Sequence, residues 1–283
     1  MKSGDEDEAS DGLSDEDVES VAERSAGSAK VVHEVIRLQG DEELGRPFAS
    51  LLFSGLAAGV AISTSMLAQA FLAVRLPDAL WAPLVSSFGY ASGFVIVIMG
   101  NLQLFTESTI TAVLPIATHP TGRNLARLLR LWLIVFVANM AGTLLVAALC
   151  ANAVIVEADQ LGALVKLSRH ALDHGFVDTL FLGMPAGFLV AAIAWILPNA
   201  RGGEFWVVTS ITYIIAIGGF SHVVVGSGEA WLAWLTGGMS LGQATGGHIL
   251  PSLIGNIVGG TGLFAVVAHG QVRGEIATGG GDG

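Results

Sequence analysis

Glu107 and His222 are the two ionisable residues set deepest inside the long apolar runs of this sequence. An ionisable group in hydrocarbon is costly enough to mark a functional position. Around the first, GNLQLFTESTITAVLP (residues 100–115) adds Gln103 and Thr106 as polar neighbours. Around the second, GGFSHVVVG (218–226) places Ser221 beside the imidazole. The pairs Gly100-Asn101 and Gly218-Gly219 interrupt helical periodicity at these points. A backbone that stops being helical inside a bilayer leaves N–H and C=O groups unpartnered, so it is tolerated only where it is buried in protein or lines a wet cavity. The two breaks therefore mark a candidate pathway. Thr106 is expected to cap a second half-helix with Glu107 in its first turn, and a half-helix N-terminus attracts anions. Glu107 is expected either to cap that half-helix or to exchange protons with His222. His222 is expected at the head of the other half-helix. Phe105 and Phe220, one in each break, are candidates for apolar constrictions. Asn139 and Asn256 are expected to hold the broken segments by hydrogen bonds. A weaker constellation is SRHALDHGFVD (168–178), where His170 and His174 fall four apart with Asp173 and Asp178 nearby, a spacing that can bind zinc on one helical face. Without a glutamate between the histidines, solvated loop histidines are the expectation, and neither metal nor enzymatic activity is.

The elements that must position these residues are membrane spans. The chain has 283 residues, 52% hydrophobic and 13% charged, which is too apolar for a soluble domain of this length. The net charge of −11 is concentrated at one end, because ten of the 24 acids fall in the first 25 residues. Residues 1–27 read as a disordered acidic tail, 28–272 as a transmembrane domain and 273–283, with GTGGGDG, as a flexible tail. Ser28 to Leu44 reads as an interfacial amphipathic helix with Val31, Val32, Val35, Ile36 and Leu38 on one side. Apolar stretches follow at Phe48–Val74, Leu80–Pro115, Leu131–Val156, Leu180–Leu197, Phe205–Leu235 and Ile249–Ala268. At roughly 20 residues per crossing they make six spans, the second and fifth broken. The first of them is expected to be retained rather than cleaved as a signal peptide. Lys and Arg near the spans divide eight to three between the two faces, which predicts cytoplasmic termini. Cys150 is the single cysteine, so no intramolecular disulfide forms, and 37 glycines include no phosphate-binding loop.

The spans repeat. Gly55 and Gly59 in span one correspond to Gly183 and Gly187 in span four, the break of span two to that of span five, and Asn139-x-x-Gly142 in span three to Asn256-x-x-Gly259 in span six. Three spans per half, an odd number, turn the second half upside down relative to the first. The fold class is thus an all-α membrane protein built as an inverted 3+3 repeat.

LFT at 104–106, GF-x-H at 219–222 and PSLIGNIVGG at 251–260, in this order, resemble the formate/nitrite transporter family of pentameric, aquaporin-like channels. The resemblance covers roughly residues 30 to 272. It implies a homo-pentamer in a lipid bilayer with a pore in each protomer, passing a small monovalent anion or its weak acid, with no cofactor and no nucleic-acid partner. It also implies that Leu104, Phe105 and Thr106 form a gating loop, that His222 is a central histidine between two constrictions, and that Asn256 is the sixth-span asparagine. Three positions depart from the family pattern: Glu107 stands for a small or neutral residue, Gly187 for an asparagine, and Ser221 for an acid before the histidine. A dry constriction strips a bare anion of its hydration at large cost but not a neutral acid. A histidine between two such rings can lend the proton. The alternative is a channel for a neutral solute or a cation, with Glu107 as its selectivity element.

Overall fold

A computed structural model describes residues 27–278, and the side chains of 27–272. The acidic tail predicted for residues 1–27 falls almost wholly outside the described residues. Among the described residues the chain is entirely helical. Five helices are long and apolar enough to cross a membrane: Phe48–Ala73, Ala82–Met99, Gly122–Ala151, Phe176–Asn199 and Gln243–Val272. Two shorter apolar helices, Glu204–Ile217 and Val223–Leu235, form the two halves of broken span five. Large apolar side chains such as Phe53, Leu133 and Trp206 are exposed on the outside of the bundle, as expected for surfaces that meet lipid or another subunit. The last helix, Val266–Thr278, continues past Val272.

The two halves are built alike. Span one packs against span three and span four against span six, each pair through glycines. A Cβ on Gly59 would collide with the backbone carbonyl of Asn139, and one on Gly187 with that of Asn256. Gly142 and Gly259 make the reciprocal approaches to Leu56 and Met184. Close backbone approach of this kind is what small residues supply in membrane helices. Gly259→Ala is therefore expected to destabilise the protein by about 1–3 kcal/mol or more, as overpacked cores do. Gly262→Ala, whose Cβ would meet nothing closer than Val258 Cγ1 at 3.8 Å, serves as the neutral control. Thermal aggregation of the detergent-solubilised variants compares the two.

Both breaks end their first half-helix in the same way. Asn101 (φ 50°) and Gly219 (φ 63°) are left-handed. The next residue's N–H reaches back five positions, from Leu102 to the Val97 carbonyl and from Phe220 to the Ile215 carbonyl, both at 3.0 Å. This is the Schellman termination, for which Gly and Asn are the suitable residues.

Two sequence expectations need correction. Span three begins at Gly122 rather than near Leu131. The Thr121 hydroxyl caps it by accepting the Asn124 N–H at 3.2 Å. Its extra turns carry Arg127 and Arg130 to the end of the interfacial helix, where they donate to the Leu44 and Arg46 carbonyls. The interfacial helix spans Ala29–Gly45 and buries Val32, His33, Ile36, Gly40 and Leu44, while Val31, Val35 and Leu38 face outward. The buried stripe follows the helical period, and it includes Gly40 because the helix backbone there lies directly on the Thr111 carbonyl.

That helix also carries two buried titratable groups. His33 Nε2 and His269 Nδ1 share a hydrogen bond at 3.1 Å. Burial, followed by His269, holds the His33 pKa below its usual value. Glu43 is pushed the other way by burial, although hydrogen bonds from Thr111 and Gln103 oppose the shift. For His33 the undocked helix binds more protons than the docked one, so its contribution is complete above about pH 6.5 and is lost as pH falls below that value. For Glu43 the docked state binds more protons, so its contribution falls as pH rises above about 4.3. The hydrogen-exchange protection of residues 29–45, each rate divided by its intrinsic rate at the same pH, is therefore expected to fall on acidification from pH 7. His33→Phe should flatten that acid-side loss, and Glu43→Gln, by removing the opposing slope, should steepen it.

Candidate functional site

The segment between the halves of span two is not the half-helix expected from Thr106. Residues 102–104 run without regular structure and 105–113 as a chain of turns, and regular helix returns only at Leu114–Thr118. Hydroxyls take over carbonyls that a helix would pair internally. Ser108 Oγ donates to Phe105 O, Thr109 Oγ1 to Thr106 O, and Thr261 Oγ1 to Thr109 O. Trp132 Nε1 takes the Ser108 carbonyl. Threonines compete for backbone groups in this way wherever helix propensity is weak. With the half-helix absent, Glu107 has no first turn to cap.

Asparagines pin both breaks. Asn139 Nδ2 donates to Gly55 O (2.8 Å) and Gln103 O (3.0 Å), and its Oδ1 accepts the Phe105 N–H (2.9 Å). Asn256 Nδ2 donates to Gly183 O (2.9 Å) and Ser221 O (2.8 Å), and its Oδ1 accepts the Val223 N–H (2.8 Å). Each amide ties its own span to the glycine span and to both sides of the break. Both donors and one of the two acceptor lone pairs are used, and neither asparagine is exposed.

The breaks meet at one contact. His222 Nε2 lies 2.7 Å from Thr106 Oγ1. His222 Nδ1 accepts the Val225 N–H at 3.3 Å, so the imidazole caps the half-helix Val223–Leu235. A neutral imidazole has one donor and one acceptor. With Nδ1 accepting, Nε2 carries the proton and donates to Thr106, whose own O–H remains available. Phe94 covers the ring edge-on at a centroid distance of 4.9 Å.

Cavities lie on both sides of this contact. One, of about 290 Å³, ends on Phe220, Ser221 and His222 and opens toward the helix Ala158–Ala171, away from the termini. Its wall also carries Tyr90, Glu229 and His248. The other, of about 310 Å³, opens on the face of the interfacial helix and ends on Leu104, Glu107 and Ser108. Glu43 lines the same cavity and accepts from Thr111 Oγ1 at 2.9 Å. Glu107 and His222 thus face different cavities, and Thr106 stands between them. Phe105 lines neither cavity and packs edge-on against Trp132 and Phe136.

Residues 30–270 match the family described as formate/nitrite transporter. The chain belongs to the formate/nitrite transporter family. It is 35% identical to the inner membrane protein YfdC of Escherichia coli, over 90% of this chain and 82% of that protein. It is 25% identical to the formate channel FocA of Haemophilus influenzae, over 63% and 64% of the two chains. A solved pentameric formate channel with formate bound is similar in fold, with a TM-score of 0.68 at 20% identity, over 80% of this chain and 97% of that one. The protein is accordingly a multi-pass membrane transport protein. The short contact between Thr106 and His222 is where its two broken spans meet.

Several residues of the site escape the sequence reading. Glu229 carried a usable signal, an acid inside the apolar run Phe205–Leu235, as strong as that of Glu107. Glu43 and Thr111 carried none, because only the docking of the interfacial helix brings them to the cavity. Phe94 is one of many apolar residues in its span. The two histidines of the loop do not share a helical face. The helix that holds His170 stops at Ala171, so His174 lies beyond it, and both are exposed. Among the described residues no three His, Cys, Asp or Glu side chains cluster as metal ligands.

Proposed function

We propose that each protomer conducts a small monovalent anion of the formate or nitrite type, crossing the centre as its neutral weak acid. The observation that carries this is the 2.7 Å contact between His222 and Thr106, buried between two cavities and under Phe94. An anion in the far-face cavity meets an imidazole that takes a proton from water there and passes it on, its N–H bond breaking as the anion's O–H bond forms, and the acid formed passes apolar side chains that would reject the charged form. The Thr106 hydroxyl, accepting from His222, offers its own proton to the solute. The gating role falls to Leu104 and Thr106 in the pinned turns, with Phe220 lining the far-face cavity and Phe105 bracing the loop against Trp132. Asn139 and Asn256 act by holding the breaks in register. The charge bias of the connecting segments supports cytoplasmic termini, and the fold of the pentameric formate channel supports a homo-pentamer. Uptake of formate, nitrite, hydrosulfide, acetate and lactate into proteoliposomes at two pH values tests the reading. Failure to take up any of them ends it.

The near-face cavity favours a second reading, a cation or neutral-solute pathway, because Glu42, Glu43 and Glu107 all line it against Arg46 alone. The sign of the reversal potential in planar bilayers decides between the two. Under the weak-acid reading the solute crosses as a neutral acid and Gln is the neutral isostere of a carboxyl buried beside Glu43, so Glu107→Gln leaves formate flux within about twofold of wild type at neutral pH and at pH 5. Loss of cation conductance in the same variant would instead support the cation pathway.

A further inference from the structure

Glu229 sits seven residues past His222 on the half-helix Val223–Leu235, roughly 10 Å further toward the far face. It is only 8% exposed, and its carboxyl lines the far-face cavity. No hydrogen bond or ion pair reaches that carboxyl among the described residues. The Tyr90 hydroxyl, on the wall of the same cavity, is likewise without a partner. His248 Nδ1 and Thr179 Oγ1, on two further lining residues, are buried and unpaired.

The other titratable groups around this cavity are His222 on the same half-helix, His170 and His174 on the loop side, and His248 from span six. Span three packs along the half-helix and contributes no titratable group to the cavity. Lys166 and Arg169 on the neighbouring helix are exposed and line none of it. The cavity therefore contains a buried carboxyl with no permanent cation beside it and no hydrogen bond made to it. Such a group is stable only while it holds a proton or binds a ligand that brings one.

We propose that Glu229, flanked by Tyr90 and His248, is a proton-exchange site for the transported monovalent anion on the far face. The Glu229 O–H bond breaks as an O–H bond forms on the solute. The neutral acid moves on past Phe94 and His222, and the carboxylate recovers its proton from water entering the cavity. Tyr90 and His248 supply the hydrogen bonds that hold solute and carboxyl together. No oxidation state changes. This deepens the weak-acid reading and rests on it.

The test uses the full chain in proteoliposomes with radiolabelled formate at external pH 7.5 and pH 5. Glu229→Gln is expected to lower uptake about tenfold or more at pH 7.5, the scale of a lost general acid. At pH 5, where more formate enters already protonated, it should stay within about twofold of wild type. Tyr90→Phe should show the same pattern in weaker form. A readout independent of flux is infrared difference spectroscopy in a Glu107→Gln background. Formate must shift a protonated-carboxyl band, and Glu229→Gln must remove that band. If the Glu229→Gln protein does not fold, the formate-induced shift in a background that carries both Glu43→Gln and Glu107→Gln decides alone. If wild type transports formate and Glu229→Gln keeps both its rate and its pH profile, the exchange site is overturned while the weak-acid pathway stands. If wild type transports none of the weak acids, the pathway itself falls, and this site with it.

Discussion

Formate uptake by His222→Ala falls at least about 100-fold below wild type at neutral pH, because a positioned acid–base group contributes on that order. The loss has two parts that a second variant separates. His222 donates through Nε2 to Thr106, and it also caps the half-helix through Nδ1. His222→Asn keeps an N-cap of good quality and removes the exchangeable proton. If proton transfer is what matters, Asn fails as badly as Ala while the protein retains its thermal stability. If capping is what matters, Asn restores uptake. Equal transport by His222→Ala at every pH would end the proton-lending mechanism. Thr106→Val tests the same contact from the other side. It removes the acceptor and the free O–H with little change in shape, and it should cost less than His222→Ala because the imidazole remains.

Removing either asparagine should cost nearly the same stability, although the two lie in different halves of the chain. Asn139→Ala leaves the Phe105 N–H and the Gly55 and Gln103 carbonyls buried and unpaired, and Asn256→Ala does the same to Val223, Gly183 and Ser221. At about 1 kcal/mol per orphaned group, the lower end of the usual range, each variant loses on the order of 3 kcal/mol. Asp in place of Asn keeps the acceptor but sets its second oxygen against two buried carbonyls, so it should cost at least as much as Ala. Unfolding in mixed micelles measures all four variants. A large loss for one asparagine and none for the other would show that the two networks are not energetic equivalents, and the duplicated scaffold would then be a likeness of shape alone.

Much of this arrangement could be read without coordinates because it rests on residues with few alternative uses. Gly-Asn and Gly-Gly within apolar runs are helix stops that a bilayer does not otherwise tolerate, and both end in a left-handed residue at the expected position. The glycine pairs and the Asn-x-x-Gly steps were legible as a repeat because close helix packing demands small residues at fixed spacing. The half-helix assigned to Thr106 was not borne out. Its carbonyls are claimed by hydroxyls and by Trp132, partners as far away as span six in the sequence. Span three begins before its apolar run because Leu44 and Arg46 receive the arginines of its charged first turns, which look like a loop along the chain.

By itself, then, the sequence determined the membrane class, the two interruptions, the inverted duplication and the imidazole on one interruption. Each of these follows from local chemistry in an apolar solvent. Only the tertiary structure decided which groups face each other: Thr106 against His222, Glu107 beside Glu43, and Glu229 alone in the opposite cavity. Those pairings join residues more than sixty positions apart, or leave one without a partner. They depend on how the interfacial helix and the two halves dock, and no periodicity along the chain encodes that.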